Sequence, residues 1–330
     1  MTADAFLPLR SAVTSLRVMT YNVRYFGHAT RGLFSTARSV RGIAGAIAGL
    51  CPPADIICLQ EVETASLRSN VLHRREHPAQ TQLERLMEAL ADVIRSAGLG
   101  ESYEGHYFPA HDYRLPGGAS AYTTGLVLLV RRPLRLRKHN ASQPFDITHR
   151  TREGQRSPDG PKPWLKQTRI CAHAVLEHPD GKTLDVFNTH LSLPAFYRRE
   201  FWTEDSRMGF GFNQMAEATT LCEFVSRERQ GDNYLVVGDF NALPGSPVYD
   251  LLTQEHGWSD PLHRALGGSL QRLRDFPTAG FLHLRMHLDH MLSGPGVQWD
   301  DVSGTHAFGD KTSPFHGLSD HVPLIGRIRI

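Results

Sequence analysis

Residues 238–249 read Gly-Asp-Phe-Asn-Ala-Leu-Pro-Gly-Ser-Pro-Val-Tyr, directly after the apolar run Tyr234–Val237. That run is rich in β-forming residues and is bounded by turn formers, so it is a predicted strand. The strand presents an acid and an amide at its end, Asp239 and Asn241. A polar residue where a buried strand meets water is common and means little by itself. The decision rests on whether the rest of the chain repeats the arrangement.

Five more stretches do. Tyr21-Asn22 lies in the β-rich segment 16–23, and Gln60-Glu61 follows the apolar run 55–59. Asn188-Thr189-His190 ends the segment 184–188. Leu288-Asp289-His290 and Ser319-Asp320-His321 stand against the apolar segments 288–292 and 322–330. Together the six stretches supply amides, carboxylates and imidazoles but no thiol. Such a hard donor set suits magnesium or manganese rather than structural zinc.

The intervening chain alternates between strand and helix patterns. Further strands are predicted over 125–130 and 168–176, the latter joined to 184–188 by the turn Pro179-Asp180-Gly181. Helices are predicted over 36–50, from about 83 to 97, and from about 213 to 227 with Asn213 as the cap. Strands adjacent in sequence and strands separated by helices both occur. The mixture predicts an α/β sandwich of mixed sheets. With 330 residues and no repeat or linker, the expectation is one domain over 17–330. Residues 1–16 are an N-terminal extension, and loop insertions fall near 139–167 and 192–212.

Composition narrows the classes. Net charge is +2, so charge alone does not announce a nucleic-acid binder. The four cysteines form no CxxC pair, which argues against a zinc cluster or a disulfide framework. No stretch is apolar enough to span a membrane and no export signal is visible; the expectation is a soluble, cytoplasmic monomer.

The ordered set TYNVR, LQEVE, NTHLS, GDFNALPGSPVY, LDHML and LSDHVP resembles the endonuclease/exonuclease/phosphatase superfamily, from about Arg17 to the end. The resemblance implies a four-layer αββα sandwich, DNase-I-like, with two packed mixed sheets and the active site at one edge. It implies a hydrolase dependent on Mg2+ or Mn2+. Glu61 resembles the principal metal-binding carboxylate, Asn22 the amide beside it, and Asp320 a further group of the metal shell. Asp239 and Asn241 resemble the pair that holds the attacking water and the phosphate. Two positions apart on an extended segment, they would point the same way. His321 resembles the imidazole next to the scissile phosphate, Asp289 the acid that orients it, and His190 a second histidine of the DNase-I-like and sphingomyelinase branches.

The resemblance to nucleases and deadenylases makes nucleic acid the first expected substrate. A sphingomyelinase-like hydrolase of phospholipid or small phosphoesters is the alternative, and an inactive binding module of the same fold the second. The module reading predicts loss of at least one of Glu61, Asp239, Asn241 and His321, and all four are present. An inositol polyphosphate 5-phosphatase is disfavoured by LHLRMHLDHML. Tyr122-Thr123-Thr124-Gly125 carries one residue more than a repair nuclease would, which puts a phosphate contact by Tyr122 in question.

Other features have plainer readings. Gly181-Lys182-Thr183 lacks the upstream glycine of a phosphate loop and is a hairpin turn. The basic run Arg131–Lys138 reads as a solvated edge. Phe201, Trp202 and Phe210 could stack bases or touch lipid, but packing of a long loop onto the body is the plainer reading, and His290 reads as structural. His28, His306 and His316 default to the surface.

Overall fold

The computed structural model describes residues 14–26, 36–63, 81–100, 102–114, 120–149, 167–194, 208–281 and 283–330. Its first sheet contains β1 (Ser15–Asn22), β2 (Ile56–Val62), β3 (Tyr103–Arg114), β4 (Ser120–Arg131), β13 (Gln298–Asp301) and β14 (Leu324–Arg329), in the order β13-β14-β1-β2-β4-β3. The second contains β5 (Arg135–His139), β7 (Ile170–Glu177), β8 (Thr183–His190), β9 (Tyr234–Asp239) and β12 (Asp289–Ser293), in the order β12-β9-β8-β7-β5. The short β6 (Phe145–Asp146) pairs with β7. β1 runs parallel to β2, and β8 parallel to β9. The other pairings are antiparallel, so both sheets are mixed.

Alternation along each strand builds four layers. Val18, Ile56, Cys58, Leu126 and Leu128 point from the first sheet into a core shared with Ala172, Val186, Leu235 and Val237 of the second. Their neighbours Met19, Tyr21, Ile57, Leu59, Val127 and Leu129 point outward against α1 (Thr36–Ala48) and α2 (Gln82–Ser96). Phe187 and Val236 point outward from the second sheet against α3 (Phe212–Glu228), through Ala218, Leu221 and Val225. Covering both faces explains why these strands read as continuous apolar runs. Each fully buried aliphatic side chain contributes roughly 1.5–3 kcal/mol.

Local chemistry sets the boundaries. Thr81 Oγ1 accepts from Glu84 N at 3.2 Å while Glu84 Oε2 accepts from Thr81 N at 2.7 Å, a capping box that starts α2. α3 begins at Phe212 with Gly211 as its cap residue, not at Asn213. Gln214 Oε1 accepts from the N–H groups of Gly209 and Gly211 at 3.1 and 3.2 Å, so the turn is closed from inside the helix. β3 has no sequence counterpart above because it is an edge strand. Phe108 alone among its described side chains is buried, so its pattern is mostly polar.

The basic run behaves as a solvated edge. β5 is the outer strand of its sheet, with Arg137 paired to Glu177 at 2.5 Å and Lys138 to Glu228 at 3.5 Å. Gly181, at φ 88°, closes the β7–β8 hairpin as read from sequence. Short elements complete the C-terminal third: α4 (Pro247–Asp250), α5 (Pro261–Ala265), α6 (Leu270–Arg274), and the hairpin of β10 (Ala279–Phe281) with β11 (Leu284–Met286). No helix among the described residues is long and apolar enough to cross a membrane.

Candidate active site

The two sheets present their polar strand ends at one edge of the sandwich. In the second sheet three adjacent strands carry functional groups in register: His190 of β8 lies beside Asp239 of β9, and Asp239 lies opposite Asp289 of β12. In the first sheet Asn22 ends β1 beside Gln60 of β2. The segment Ser319–His321 joins them through a bridge from His321 to Ala279 and a bond from Gly280 N to the Asp320 carbonyl at 2.8 Å.

Hydrogen bonds tie the sheets together there. Asn22 Nδ2 donates to Asp239 Oδ2 at 3.0 Å and to Glu61 Oε1 at 3.3 Å. His190 Nε2 faces the same two acids, 3.5 Å from Asp239 and 3.9 Å from Glu61. His321 Nδ1 donates to Asp289 Oδ2 at 2.8 Å, which leaves Nε2 3.8 Å from Asp239 Oδ2. The Asp289 carboxylate also accepts the Thr278 hydroxyl at 2.7 Å. All eight residues named from sequence therefore fall at this edge.

The backbone is distorted where it meets the site. Among the described residues five non-glycine positions have positive φ: Arg24, Tyr25, Phe26, Glu61 and Asn241. All five lie in site segments. Such conformations cost about 1–3 kcal/mol each and persist where the surroundings enforce them. The β2–β4 register slips between Leu59 and Val62, so a bulge re-aims Glu61. Asn241, at φ 49°, departs from the extended geometry expected of it. Its N–H donates to Asp239 Oδ1 at 3.0 Å and its Nδ2 to the Leu191 carbonyl at 2.9 Å. Asp239 and Asn241 are thus joined by a local turn rather than simply parallel. Gly238, at φ 143°, has no room for a side chain, since a Cβ would come 2.0 Å from the Thr189 carbonyl oxygen.

Charge is crowded in this space. Burial, and then the charge of Asp289, pushes the Asp239 carboxyl up to about 7. Burial, then Asp320, raises Glu61. Burial, then Arg169 and His321, holds His190 well below its ordinary value, so it is neutral at pH 7. Burial alone would lower His321 too, but the acids Asp289 and Asp239 outweigh it and hold its pKa well above normal. One ligand atom each from Asp239, Asp289 and His321 lies within 4.8 Å of the others. That trio is already bonded within itself through His321 and Asp289. The oxygens that fit a hard divalent cation are those of Glu61 and Asp320, whose like charges raise Glu61, with the Asn22 amide beside Glu61 and no thiol in the set.

Four further residues belong here to which the sequence reading assigned no role. Gln60 Nε2 donates to Asn188 Oδ1 at 2.8 Å, and Asn188 Nδ2 reaches the carbonyls of Leu59 and Val127 at 3.2 Å each. This pair bolts one sheet to the other just beneath the acids. Arg24 forms an ion pair with Asp320. Arg169 is 9% exposed, its buried Nε lacks a hydrogen-bond partner, and no acid pairs with it among the described residues. Its charge reaches both Glu61 and His190.

Two readings change. Phe210 does not pack down; it is 53% exposed. His306 is half-buried against Asp310 at 3.0 Å. His290 is 1% exposed and its Nε2 donates to the Ala242 carbonyl at 2.8 Å, a structural tie for the loop after Asn241. His28, Phe196, Tyr197, Phe201, Trp202, the Tyr122 side chain and residues 150–166 lie outside the described residues.

Comparison with known proteins agrees with this arrangement. No curated protein matches. Solved structures do, all with low identity, which speaks to fold. The human Nocturnin catalytic domain with bound sulfate is 18% identical, covering 98% of this chain and 96% of its own, with a TM-score of 0.57. A mannosyl-6-phosphatase of Bacteroides thetaiotaomicron is 15% identical, covering 95% and 99%, with a TM-score of 0.54. ANGEL2, a 2′,3′-cyclic phosphatase in complex with adenosine-2′,3′-vanadate, is 16% identical, covering 96% of both chains, with a TM-score of 0.54. The sequence profile of the Endonuclease/Exonuclease/phosphatase family matches residues 19–321, a span that takes in every one of the eight site residues. Two mixed sheets between helices, five polar strand ends and the Ser319–His321 segment at one edge, and that match have a single reading: the chain belongs to the endonuclease/exonuclease/phosphatase family.

Proposed function

We propose that the chain is a divalent-metal-dependent phosphodiesterase that acts on nucleic acid by direct attack of water on phosphorus. Members of the family hydrolyse phosphoester bonds. The observation that carries water attack on phosphorus is the Asp289–His321 pair, with His321 Nδ1 bonded at 2.8 Å and Nε2 directed at Asp239. Nucleic acid as the substrate rests on the resemblance of GDFNALPGSPVY to nucleases and deadenylases. A phosphodiester repels nucleophiles, so its site must supply positive charge, orient water and stabilise the departing oxygen.

The side chains divide those tasks. Asp239, raised to about 7, is suited to take a proton from water near neutral pH. Asn22 fixes the orientation of that carboxylate through Oδ2, and the Asn241 N–H fixes it through Oδ1. His321, held protonated by two acids, donates from Nε2 to a phosphoryl oxygen. His190, neutral, is a second donor through Nε2, which faces Asp239 and Glu61. Arg169 supplies positive charge, which reaches Glu61 and His190. Glu61, Asn22 and Asp320 are the residues that would hold Mg2+ or Mn2+, which when bound supplies Lewis-acid neutralisation of the phosphate charge.

Small phosphoesters form the second reading, because two structural neighbours are named for phosphatase activity. Turnover of single-stranded DNA, duplex DNA, RNA, sphingomyelin, mannose 6-phosphate and bis-p-nitrophenyl phosphate, with Mg2+ and with EDTA, decides between them. Metal-dependent cleavage of an oligonucleotide is the expected result. Cleavage confined to the lipid or the sugar phosphate would remove nucleic acid from the reading, and turnover undiminished by EDTA would remove the metal.

A further inference from the structure

A cavity of about 470 Å3 borders the loop that follows Asn241, lined by Phe210, Leu243, Pro277, Gln271, Arg274, Asp275 and Arg285. Its volume falls within the roughly 300–1,000 Å3 of small-molecule sites. Two walls continue the catalytic machinery. Leu243 stands two residues beyond Asn241, and Pro277 precedes Thr278, whose hydroxyl holds Asp289.

Phe210 is the aromatic member. Its ring is 53% exposed, much as Phe212 is at 50%, and it sits on a hydrogen-bonded base. Met208 and Gly209 before it are buried. Leu243 N donates to the Met208 carbonyl and Val248 N to the Gly209 carbonyl, both at 3.2 Å. Gln214 ties Gly209 to the catalytic loop by accepting from Gly209 N and donating to the Asn241 carbonyl at 2.7 Å. Gly209 is at φ 88°, where a Cβ would meet Ser246 Oγ at 2.2 Å. A glycine-dependent turn thus fixes an exposed ring relative to Asn241.

We infer that this cavity receives the nucleotide unit next to the scissile phosphate, its base stacked on Phe210 and its flanking phosphate drawn by Arg274 and Arg285. The assignment rests on the nucleic-acid reading above. An acyl chain fits the lining poorly, because it would desolvate two guanidinium groups, a carboxylate and an amide without bonding any of them. A base offers a flat face to the ring and a polar edge to Gln271 and Asp275, and its phosphate matches the arginines.

The test uses the full chain in EDTA, where no turnover intrudes, with a short single-stranded DNA carrying 2-aminopurine. Stacking quenches the probe. Phe210→Ala is expected to weaken the quenched binding about tenfold, a typical loss for one base–aromatic stack, and Phe210→Trp to restore it. An oligonucleotide abasic at that position is expected to bind wild type and Phe210→Ala alike. Equal quenching by wild type and Phe210→Ala, or no quenching by wild type, overturns the assignment. So does co-sedimentation with sphingomyelin vesicles that Phe210→Ala abolishes, which would give the platform to lipid. Turnover with Mg2+ separates the two claims. Oligonucleotide cleavage whose KM ignores Phe210→Ala sinks the platform alone, while Phe210-dependent binding without cleavage of any nucleic acid sinks the nuclease reading alone.

Discussion

Oδ2 of Asp289 accepts two hydrogen bonds at once, from His321 Nδ1 at 2.8 Å and from the Thr278 hydroxyl at 2.7 Å. Thr278 Oγ1 in turn accepts from the backbone N–H groups of Leu288 and Asp289, at 2.9 and 3.1 Å. The carboxylate therefore cannot swing, and it fixes the imidazole with its proton on Nδ1 or on both nitrogens. Replacing the acid by an amide of the same shape changes which proton His321 carries. Asp289→Asn is expected to lower kcat by about 10³–10⁴-fold while the melting temperature stays near that of wild type. Steady-state kinetics beside a thermal melt checks this. An unchanged kcat would remove Asp289 from its positioning role.

Arg169 makes a prediction of opposite sign for stability and activity. Among the described residues no acid forms an ion pair with the buried Arg169 guanidinium, so its desolvation opposes folding, which an isosteric apolar chain would not do. Arg169→Met is expected to raise unfolding free energy by about 1 kcal/mol or more. It is also expected to cut kcat/KM by about 10–100-fold, since the charge facing Glu61 and His190 is lost to the phosphate. Urea titration and kinetics on one preparation read both. A variant that loses stability and keeps its rate would mean the arginine serves the fold.

What the sequence revealed, and what it hid, follows from burial. Strands such as Ile56–Val62 and Tyr234–Asp239 were legible because both faces are covered, so the apolar run is unbroken until the site begins. Asp239, Glu61 and His190 stood out as polar residues terminating such runs. Arg169 did not, because one arginine ahead of a strand looks like any surface cation. The hairpin held the clue. With Cys171 opposite Thr189, the residue two before Cys171 must lie level with Leu191, beside His190. The roles of Gln60 and Asn188 hid for another reason: each points inward between the sheets, and only the packing shows that they meet. The turn at Asn241 was invisible because left-handed backbone at asparagine leaves no periodic trace.

Removing one acid tests the crowding directly. Glu61 is held above its ordinary pKa by burial and by Asp320, so its negative charge opposes folding of the metal-free protein near neutral pH. Glu61→Gln is expected to melt higher than wild type in EDTA. Saturating Mg2+ should stabilise wild type, as any ligand specific to the native state does, by about 2.7 kcal/mol at a hundredfold excess over Kd. The same Mg2+ should leave Glu61→Gln nearly unmoved. A thermal-shift titration of both proteins measures it, and an equal Mg2+ shift in the two would exclude Glu61 as a ligand.

His287 gives the pH dependence of the fold. It is 1% exposed, its Nδ1 donates to the Phe276 carbonyl at 2.7 Å, and burial followed by the charge of His290 lowers its pKa from 6.5 to about 4. Between those values the unfolded chain binds a proton that the native one refuses. Stability is therefore complete above pH 6.5 and falls as pH drops toward 4. At about 1.4 kcal/mol per unit, the full loss is on the order of 3 kcal/mol. Buried carboxylates add their own slopes, so the quantity to measure is the difference between wild type and His287→Gln, by urea unfolding in EDTA at pH 7 and pH 5. The glutamine can still donate to Phe276 and has no proton to gain, so its loss between the two pH values should be smaller by about 1–2 kcal/mol. Parallel losses in the two proteins would show that His287 becomes protonated within the native fold as readily as outside it.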